Sequence, residues 1–269
     1  MIAYVGGKYR QAKWICSFIP KNINTYTEIF GGAMWVYLNG NINCEKAVYN
    51  DYNPFMANLF SCCVEYDEFL KWINSIEPQN EETFYGFKKD INAMYKMPHL
   101  VSNYMPLFDI GTKYSYLATQ TFSGIVNEKI KMVDLKGKYR SKFLSFRDRL
   151  KKKEIQKKLD ILKVYNKSYE DMIPLVDDKN NYMYLDPPYY GTENLYGFHD
   201  FGLQDHDKLQ SLLKNCESKW SLSYYEFPDL KKWFPEDKFR WERKEYKKAS
   251  MASKDKKQSV GVEVLIMNY

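Results

Sequence analysis

The stretch TYTEIFGGAMWVYLNGNINCEKAVYND, residues 25–51, decides the fold of this chain of 269 residues. Its first six residues are typical of a short strand, and a Gly31-Gly32 turn follows directly. An apolar helical pattern then stops at Gly40, and a second strand ends at the acid Asp51. A strand, a glycine turn, a helix and a second strand in this order predict the opening of a βαβ unit.

Other segments extend this unit into a larger sheet. Strands are predicted at residues 159–166, 182–186, 219–225, 239–246 and 261–269, and a helix at residues 205–216. The last two strands flank a polar loop, so we expect them to form an antiparallel hairpin. Asn53-Pro54 predicts the start of a helix over residues 54–76, with Asn as the N-cap and Pro at the first helical position.

The segment from residue 77 to residue 159 has a different character. It is rich in Lys, Tyr and Asn and shows no clear alternation of strands and helices. We expect helices there, a turn-containing stretch near residues 120–140, and a basic helix near residues 141–158. The chain is thus predicted to be an α/β protein with a Rossmann-like sheet, a C-terminal antiparallel hairpin and an inserted, mainly helical part.

Composition limits the classes of function. Hydrophobic residues make up 45% of the chain, enough for a core, and no apolar run reaches the 18 residues that predict a membrane span. The five cysteines have no metal-ligand spacing, and their odd number disfavours a closed disulfide framework. With three histidines in the chain, no metal site is predicted. A reduced, cytoplasmic compartment is expected.

Positive charge is concentrated in one segment. The net charge is +6, and residues 136–158 hold eleven Lys or Arg residues against two acids, Asp148 and Glu154. Such a segment fits a face that binds nucleic-acid phosphates, with Lys138 and Arg140 as candidates. The alternative is a helix face that is simply solvated.

A second informative stretch is NYMYLDPPYYG, residues 181–191. Proline lacks an N–H but keeps its carbonyl, so a strand that ends in Asp186-Pro187-Pro188 offers a carboxylate and a carbonyl on rigid backbone. Tyr189 adds a flat ring. Two acceptors beside a stacking ring suit an amino group on a planar heterocycle, which becomes more nucleophilic when both N–H groups are accepted and can then attack a sulfonium methyl. The alternative is a strand terminator whose Asp caps a turn.

Three acids fall at or near predicted strand ends: Glu28, Asp51 and Asp186. In a doubly wound sheet, ligands bind at the carboxyl ends of the strands. Asp51 follows Gly32 by 19 residues, where an acid would hold ribose hydroxyls, but the dinucleotide fingerprint GxGxxG is absent. A nucleoside cofactor without a diphosphate fits better. The alternative is a tight turn at the glycines and a helix cap at Asp51.

These motifs occur in the order found in a known family. Over nearly its full length the chain resembles the Dam-type DNA adenine-N6 methyltransferases that use S-adenosylmethionine, phage members especially. The matching segments are AYVGGKYR (3–10), TEIFGGAMWVYLNG (27–40), YNDYNP (49–54), NKSYEDM (166–172), YLDPPYYGT (184–192), FGLQDHDKL (201–209) and SMASKDKKQSVGVEVLIMNY (250–269). Single motifs of this kind are weak, whereas seven in one order are a strong signal.

The resemblance implies a Rossmann-like methyltransferase sheet. Residues 1–54 and 159–269 would bind S-adenosylmethionine, and residues 55–158 would form a target-recognition domain on double-stranded DNA. The catalytic residues would be Asp186, Pro187, Pro188 and Tyr189, with Asp186 and the Pro187 carbonyl holding the amino group of a flipped adenine and Tyr189 stacking on its ring. Implied cofactor-binding residues are Tyr4, Gly7, Lys8, Glu28, Phe30, Gly32, Asp51, Tyr52, Ser168, Tyr169 and Asp186.

The segment TQTFSGIVNEK, residues 119–129, resembles the family's DNA-contacting loop. There Phe122 can wedge into the base stack, and Ser123 can touch bases or phosphate. Members that read GATC have an arginine where this chain has Asn127, which suits adenine better than guanine, so GATC is not the predicted site. Met34 stands where some relatives have a third glycine, a difference that the family tolerates.

Two alternatives stay open. The chain could be an inactive relative that binds DNA as a repressor or a subunit. It could also be a cytosine-N4 or an RNA adenine methyltransferase, although cytosine-N4 enzymes more often have Ser in place of Asp186. We expect a monomer or weak dimer on DNA, no membrane contact, and a bacterial or phage-infected cytoplasm, with a cognate restriction enzyme as a candidate partner.

Overall fold

The structure, a computed structural model, describes residues 2, 6–101, 105–133, 141–191, 201–247 and 260–269. Within these residues the strands form one seven-stranded sheet. They are β1 (Thr25–Glu28), β2 (Lys46–Asn50), β3 (Leu162–Tyr165), β4 (Asn181–Leu185), β5 (Lys219–Tyr224), β6 (Arg240–Lys247) and β7 (Val260–Met267). All seven strands predicted from the sequence are confirmed, and with them the α/β fold.

The order of the strands decides where a ligand can bind. Across the sheet the order is β3-β2-β1-β4-β5-β7-β6, and β1 to β5 run parallel. The chain builds outward from β1 to one side and from β4 to the other, so the order reverses between these two strands. In such sheets a crevice opens at the carboxyl ends of the strands beside the reversal. Glu28 ends β1, and Asp51 and Asp186 follow β2 and β4 directly.

Strand β7 closes the sheet in the opposite direction. It pairs antiparallel with β5 on one side and with β6 on the other. The predicted antiparallel hairpin is therefore confirmed. Because β7 runs antiparallel to β5, its first half lies at the same edge of the sheet as the carboxyl ends of β4 and β5.

Helices fill the connections. Within the described residues they are α1 (Ala12–Cys16), α2 (Trp35–Asn39), α3 (Pro54–Val64), α4 (Tyr66–Asn74), α5 (Glu81–Met94), α6 (Phe108–Gln120), α7 (Lys142–Leu150), α8 (Lys153–Leu159), α9 (Tyr169–Val176), α10 (Leu203–Lys214) and α11 (Leu230–Trp233). The predicted helices after the glycine turn and near residues 205–216 are confirmed as α2 and α10. The sequence pattern does not predict α1, α9 or α11.

Two predicted helices are wrong in length. The helix predicted over residues 54–76 is divided into α3 and α4 at Glu65, whose φ of −87° and ψ of 49° leave the helical region. Helix α3 is buried on nearly every side, whereas α4 buries only Phe69 and Ile73, so the chain turns outward between them. The basic helix predicted over residues 141–158 is likewise divided into α7 and α8, because Lys152 is extended with a ψ of 126°.

The two faces of the sheet have separate apolar cores. Alternate residues of β4 point to opposite faces, as strand geometry requires: Tyr182 and Tyr184 join one cluster, while Met183 and Leu185 join the other. The first cluster also holds residues of α3, α6 and α7, so the helical segment shares a core with the sheet. The division into residues 1–54 with 159–269 and residues 55–158 stays a prediction.

The turn after β1 requires its glycines. A Cβ atom on Gly31 would lie 2.3 Å from the ring of Tyr49, and Gly32 has a φ of 46°. Met34, with a φ of 52°, also adopts the left-handed conformation that favours glycine. Its side chain is buried in the core, which compensates for this strain.

Candidate active site

The carboxylate of Asp186 stands at the end of β4, paired with a lysine from the start of the chain. Lys8 Nζ lies 2.7 Å from Asp186 Oδ1, and the Lys8 residue is almost fully buried. The side chain of Asp186 keeps 18% of its surface exposed. Pro187 and Pro188 that follow are buried, so the acid is held on a rigid support and faces the opening.

A second carboxylate completes this cluster. Glu263, in the first half of β7, is 1% exposed, and its Oε1 lies 3.4 Å from Lys8 Nζ. The hydroxyl of Tyr189 donates a hydrogen bond to the same oxygen. Sequence reasoning missed Glu263. The signal that could have found it is an acid in the middle of the otherwise apolar strand VGVEVLIM.

Burial and charge oppose each other in the cluster. Burial raises the pKa of Asp186 above its ordinary value, and the Lys8 ammonium opposes this rise. Burial also raises the pKa of Glu263, again against the effect of Lys8, while the charge of Asp186 adds to the rise. One ammonium thus serves two carboxylates, the buried Glu263 and the partly exposed Asp186, and each competes with the other for it.

The ring of Tyr189 is fixed from several directions. It stacks with Tyr224 at 5.6 Å between ring centroids and meets the edge of Tyr225 at 4.4 Å. The ammonium of Lys8 lies 4.8 Å from the centre of the same ring, a cation–π distance. The predicted acceptor Asp186 and the predicted stacking ring Tyr189 are therefore bridged by one cation in this structure.

Asp51 ties the end of β2 to the glycine turn. Its Oδ2 accepts the Gly32 N–H at 2.7 Å, and its Oδ1 accepts the Asn53 N–H at 2.8 Å. Burial raises the pKa of Asp51 to about 6. The helix cap of α3 is Asn53, which accepts the Phe55 N–H at 3.0 Å, so the alternative role of Asp51 as the cap of that helix is wrong.

The side chain of Glu28 is buried and makes its hydrogen bonds inside the fold. Its Oε1 accepts the Tyr26 hydroxyl at 2.9 Å and the Tyr37 N–H at 3.0 Å. Burial raises the pKa of Glu28 to about 8. Near neutral pH the group is therefore mostly a neutral acid in this structure.

Aromatic side chains gather at the start of α9. Phe30 stacks with Tyr169 at 5.8 Å, and Phe201 meets both rings. Ser168 is the N-cap of α9, with its hydroxyl accepting the Asp171 N–H at 3.1 Å. The predicted residues Phe30, Ser168 and Tyr169 are thus brought close together, although the sequence did not place a helix start there.

Two of the remaining predicted cofactor residues, Gly7 and Tyr52, are exposed, and a third, Tyr4, is not described. Gly7 is exposed beside Lys8, and Tyr52 is 47% exposed. The carbonyls of Asp51 and Tyr52 both accept from the Asn166 side chain, at 2.7 Å and 3.0 Å. Tyr4 lies outside the described residues.

The predicted DNA-contacting loop is pinned at its base. The Val133 N–H donates to Gln120 O at 2.8 Å, and the Tyr95 hydroxyl donates to Val126 O at 2.8 Å. Phe122 nevertheless leaves 63% of its surface exposed. Asn127 is exposed, and its Oδ1 accepts the Lys129 N–H at 2.8 Å.

Other DNA-binding candidates are placed less fully. The backbone of Ser123 lies in a 3₁₀ turn, residues Phe122–Gly124. Lys138 and Arg140 lie outside the described residues. Their roles stay predictions.

The basic segment has two kinds of cation. Arg147 donates to the carbonyls of Ile73, Asn74 and Ile76 at 3.2–3.3 Å and so caps the end of α4. Lys158 donates to the carbonyls at the end of α2, at 2.7 Å to Tyr37 O and 2.6 Å to Gly40 O. These two cations support helix ends and do not belong to a phosphate-binding face. In contrast, the side chains of Lys142, Lys151, Lys152, Lys153 and Lys157 are exposed.

The described ranges show neither a metal-type cluster of side chains nor a helix suited to a membrane. No group of three or more His, Cys, Asp and Glu side chains there is arranged to hold a metal ion. Among the helices of those ranges, none combines the length and apolar character that a bilayer crossing needs.

Fold and site together define a Rossmann-like α/β protein with a partly exposed carboxylate at the switch point of its sheet. The chain belongs to the D12 class of N6 adenine-specific DNA methyltransferases, whose family profile matches residues 4–250. It is therefore an adenine-specific DNA methyltransferase by family, and the resemblance seen in the sequence is confirmed.

Individual relatives agree with this assignment. The chain is 22% identical over 223 residues to the Type II methyltransferase M.CviBI of Paramecium bursaria Chlorella virus NC1A. This match covers 81% of this chain and 80% of that protein. It is 25% identical to the DNA adenine methylase of Haemophilus influenzae, covering 82% and 76%. It is 26% identical to the modification methylase StsI of Streptococcus sanguinis, where the match covers 78% of this chain but 32% of that longer protein.

Proposed function

We propose that this protein transfers a methyl group from S-adenosylmethionine to the N6 amino group of an adenine flipped out of a specific short sequence in double-stranded DNA. The observation that carries this proposal is the geometry around Asp186. A partly exposed carboxylate stands on a buried Pro187-Pro188 pair at the switch point of the sheet, beside the ring of Tyr189.

The residues present fit the cofactor. The Gly31-Gly32 turn follows β1 directly, and the carboxylate of Asp51, held by the Gly32 and Asn53 N–H groups, would be the acceptor of ribose hydroxyls. Phe30, which is partly exposed and stacks on the buried ring of Tyr169, offers apolar ring surface for an adenine, with Ser168 nearby at the start of α9. When bound, S-adenosylmethionine supplies an electrophilic methyl group carried by a sulfonium sulfur.

The chain's own residues prepare the nucleophile. Asp186 and the Pro187 carbonyl accept the two N–H groups of the target amino group, so its lone pair is withdrawn from the ring and becomes available to a methyl carbon. The surplus proton on the methylated nitrogen then leaves to solvent. The work of the protein is therefore orientation and electrostatics at a prearranged site.

The exposed side of the helical segment would hold the DNA. Phe122, on a loop with a pinned base, is suited to fill the gap that a flipped base leaves in the stack. The exposed lysines of α7, α8 and the link between them would contact phosphates. We further propose a monomer or weak dimer on DNA, in a bacterial or phage-infected cytoplasm, with a cognate restriction enzyme as a candidate partner.

The test is methyl transfer from labelled S-adenosylmethionine to unmethylated DNA, followed by identification of the modified base. Wild-type protein should produce N6-methyladenine, and Asp186→Asn and Asp186→Ala should lose this activity while keeping the wild-type fold in circular dichroism. The Asn variant keeps the shape of Asp186 but turns one acceptor into a donor, so it tests the hydrogen-bonding argument directly.

Other results would reject the proposal. Label in cytosine or in RNA alone would assign a different substrate. Binding of DNA and cofactor without transfer to any sequence would point to an inactive DNA-binding relative.

A further inference from the structure

We infer that Glu263 is a positioning residue for methyl transfer, which fixes the ring of Tyr189 and shares the ammonium of Lys8 with Asp186. This inference rests on the proposed function of the same site. Glu263 does not face the opening itself, since the residue is 1% exposed. It would act on the reaction through the buried ring of Tyr189 and, by way of Lys8, through the partly exposed carboxylate of Asp186.

The first connection is to Tyr189. The hydroxyl of this residue donates to Glu263 Oε1, so the far end of the ring is anchored on β7 while its backbone is anchored after β4. Tyr224 stacks on the ring, and Tyr225 packs against it in a T-shaped arrangement. A ring fixed at both ends presents one orientation to a flat base, whereas a ring without the hydroxyl anchor can tilt about its Cβ–Cγ bond.

The second connection is to Asp186 through Lys8. The ammonium lies 2.7 Å from Asp186 Oδ1 and 3.4 Å from Glu263 Oε1, so it sits between the two carboxylates. It also lies 4.8 Å from the centre of the Tyr189 ring. In this structure Lys8 therefore occupies the place where an amino group would meet the acceptor and the ring.

Glu263 gives that ammonium an alternative partner. When a target amino group approaches Asp186, Lys8 must yield part of its hold on this carboxylate. A carboxylate on its other side allows it to do so without leaving a buried cation unpaired, which would be costly. Without the charge of Glu263, Lys8 would stay on Asp186 and compete with the substrate.

The experiment compares wild type with Glu263→Gln, which preserves shape and can still accept the Tyr189 hydroxyl but lacks the charge. Because Lys8 would then stay on Asp186 and keep the target amino group from its acceptor, we expect kcat for DNA methylation to fall by about 10–100-fold, the scale of a misplaced reacting group. The KM for DNA should change by less than about threefold. The matched control is Ser221→Ala. Ser221 lies in β5 and is the buried hydrogen-bond partner of another tyrosine hydroxyl, that of Tyr182. Its removal should keep kcat within about twofold of the wild-type value.

A second readout does not depend on activity. In protein labelled with ¹³C at aspartate carboxyls, the resonance of Asp186, assigned with Asp186→Asn, should titrate at lower pH in Glu263→Gln, because removal of a nearby negative charge favours the ionised form. Ser221→Ala should leave this titration in place. A purely structural role of Glu263 would lower activity without moving the Asp186 titration, and that result would overturn the inference.

The outcomes separate the inference from the proposed function. Unchanged kcat in Glu263→Gln, or an unmoved Asp186 titration, would overturn the role of Glu263. If wild type transfers no methyl group, the proposed function fails, while the titration still decides whether Glu263 and Asp186 are coupled. If Glu263→Gln does not fold, Tyr189→Phe provides the second variant. Loss of its hydroxyl should raise the pH at which a ¹³C-labelled Glu263 carboxyl titrates, and no rise would overturn the inference.

Discussion

The buried acid Glu28 should make the stability of this protein depend on pH. Its pKa rises from an ordinary 4.5 to about 8 in the folded state, mainly because the residue is buried. A carboxyl group whose pKa is raised by folding stabilises the fold while it is protonated, and this contribution is lost as the pH rises towards the folded pKa. The free energy of unfolding should therefore fall between pH 5 and pH 8.

The size of the effect follows from the two pKa values. With 4.5 in the unfolded chain and about 8 in the fold, the contribution of Glu28 falls by about 3.5 kcal/mol between pH 5 and pH 8, at about 1.4 kcal/mol for each pKa unit. Glu28→Gln keeps an oxygen that can accept from the Tyr26 hydroxyl and the Tyr37 N–H but cannot ionise. The variant should gain stability relative to wild type by this amount over the same range.

The assay is urea unfolding followed by tryptophan fluorescence at pH 5, 6, 7 and 8. Tyr26→Phe is the matched control, because it removes one hydrogen bond to Glu28 but leaves the acid in place. It should be less stable than wild type at every pH and keep the fall in stability. If the curves of wild type and Glu28→Gln run parallel from pH 5 to pH 8, the argument about Glu28 is refuted.

Three further predictions concern the turn, the basic segment and the loop. Gly31→Ala should destabilise the fold by about 1–3 kcal/mol in urea unfolding, because its Cβ would lie 2.3 Å from the Tyr49 ring. The same variant should bind the cofactor more weakly in calorimetry. Unchanged stability would show that the ring can move away. Lys158→Met should lower the unfolding free energy by about 2 kcal/mol through lost hydrogen bonds to the end of α2. The DNA affinity of Lys158→Met should stay unchanged. In contrast, the triple variant with Gln in place of Lys151, Lys152 and Lys153 should bind DNA more weakly and with a smaller salt dependence. The opposite pattern in filter binding would reverse these roles. Phe122→Ala should lower single-turnover methylation of paired DNA by about 10-fold and spare a mismatched target, which costs less to unpair; equal losses on both substrates would remove Phe122 from base flipping.

Much of the sheet could be predicted because its signals are local. The run before Gly31, the run before Asp51 and the run before Asp186 each show a strand that ends at an acid or a turn, and the structure confirms each. The helix division at Glu65 could not be predicted in this way. Both halves have helical composition. The position of the break depends on which faces of the two helices pack against the sheet and α6.

The candidate site was predicted in its parts but not in its connections. Asp186 and Tyr189 belong to a recognisable local pattern, and Lys8 belongs to another, near the start of the chain. That Lys8 pairs with Asp186 depends on how the N-terminal segment packs over the ends of β4 and β7. Similarly, Arg147 and Lys158 are indistinguishable from their basic neighbours in the sequence, and only their contacts with helix-end carbonyls separate them.

The sequence by itself determined the α/β fold, the positions of the strands and the family, because residue periodicity, glycine turns and motif order are properties of the chain alone. Only the tertiary structure decided that a buried glutamate from the last strand lies beside the Asp-Pro-Pro-Tyr motif. Strand order and direction bring Glu263 to the edge where Asp186, Tyr189 and Lys8 meet, although these residues come from three distant parts of the chain. The strength of such contacts depends on distance and burial, and no short stretch of residues determines either of them.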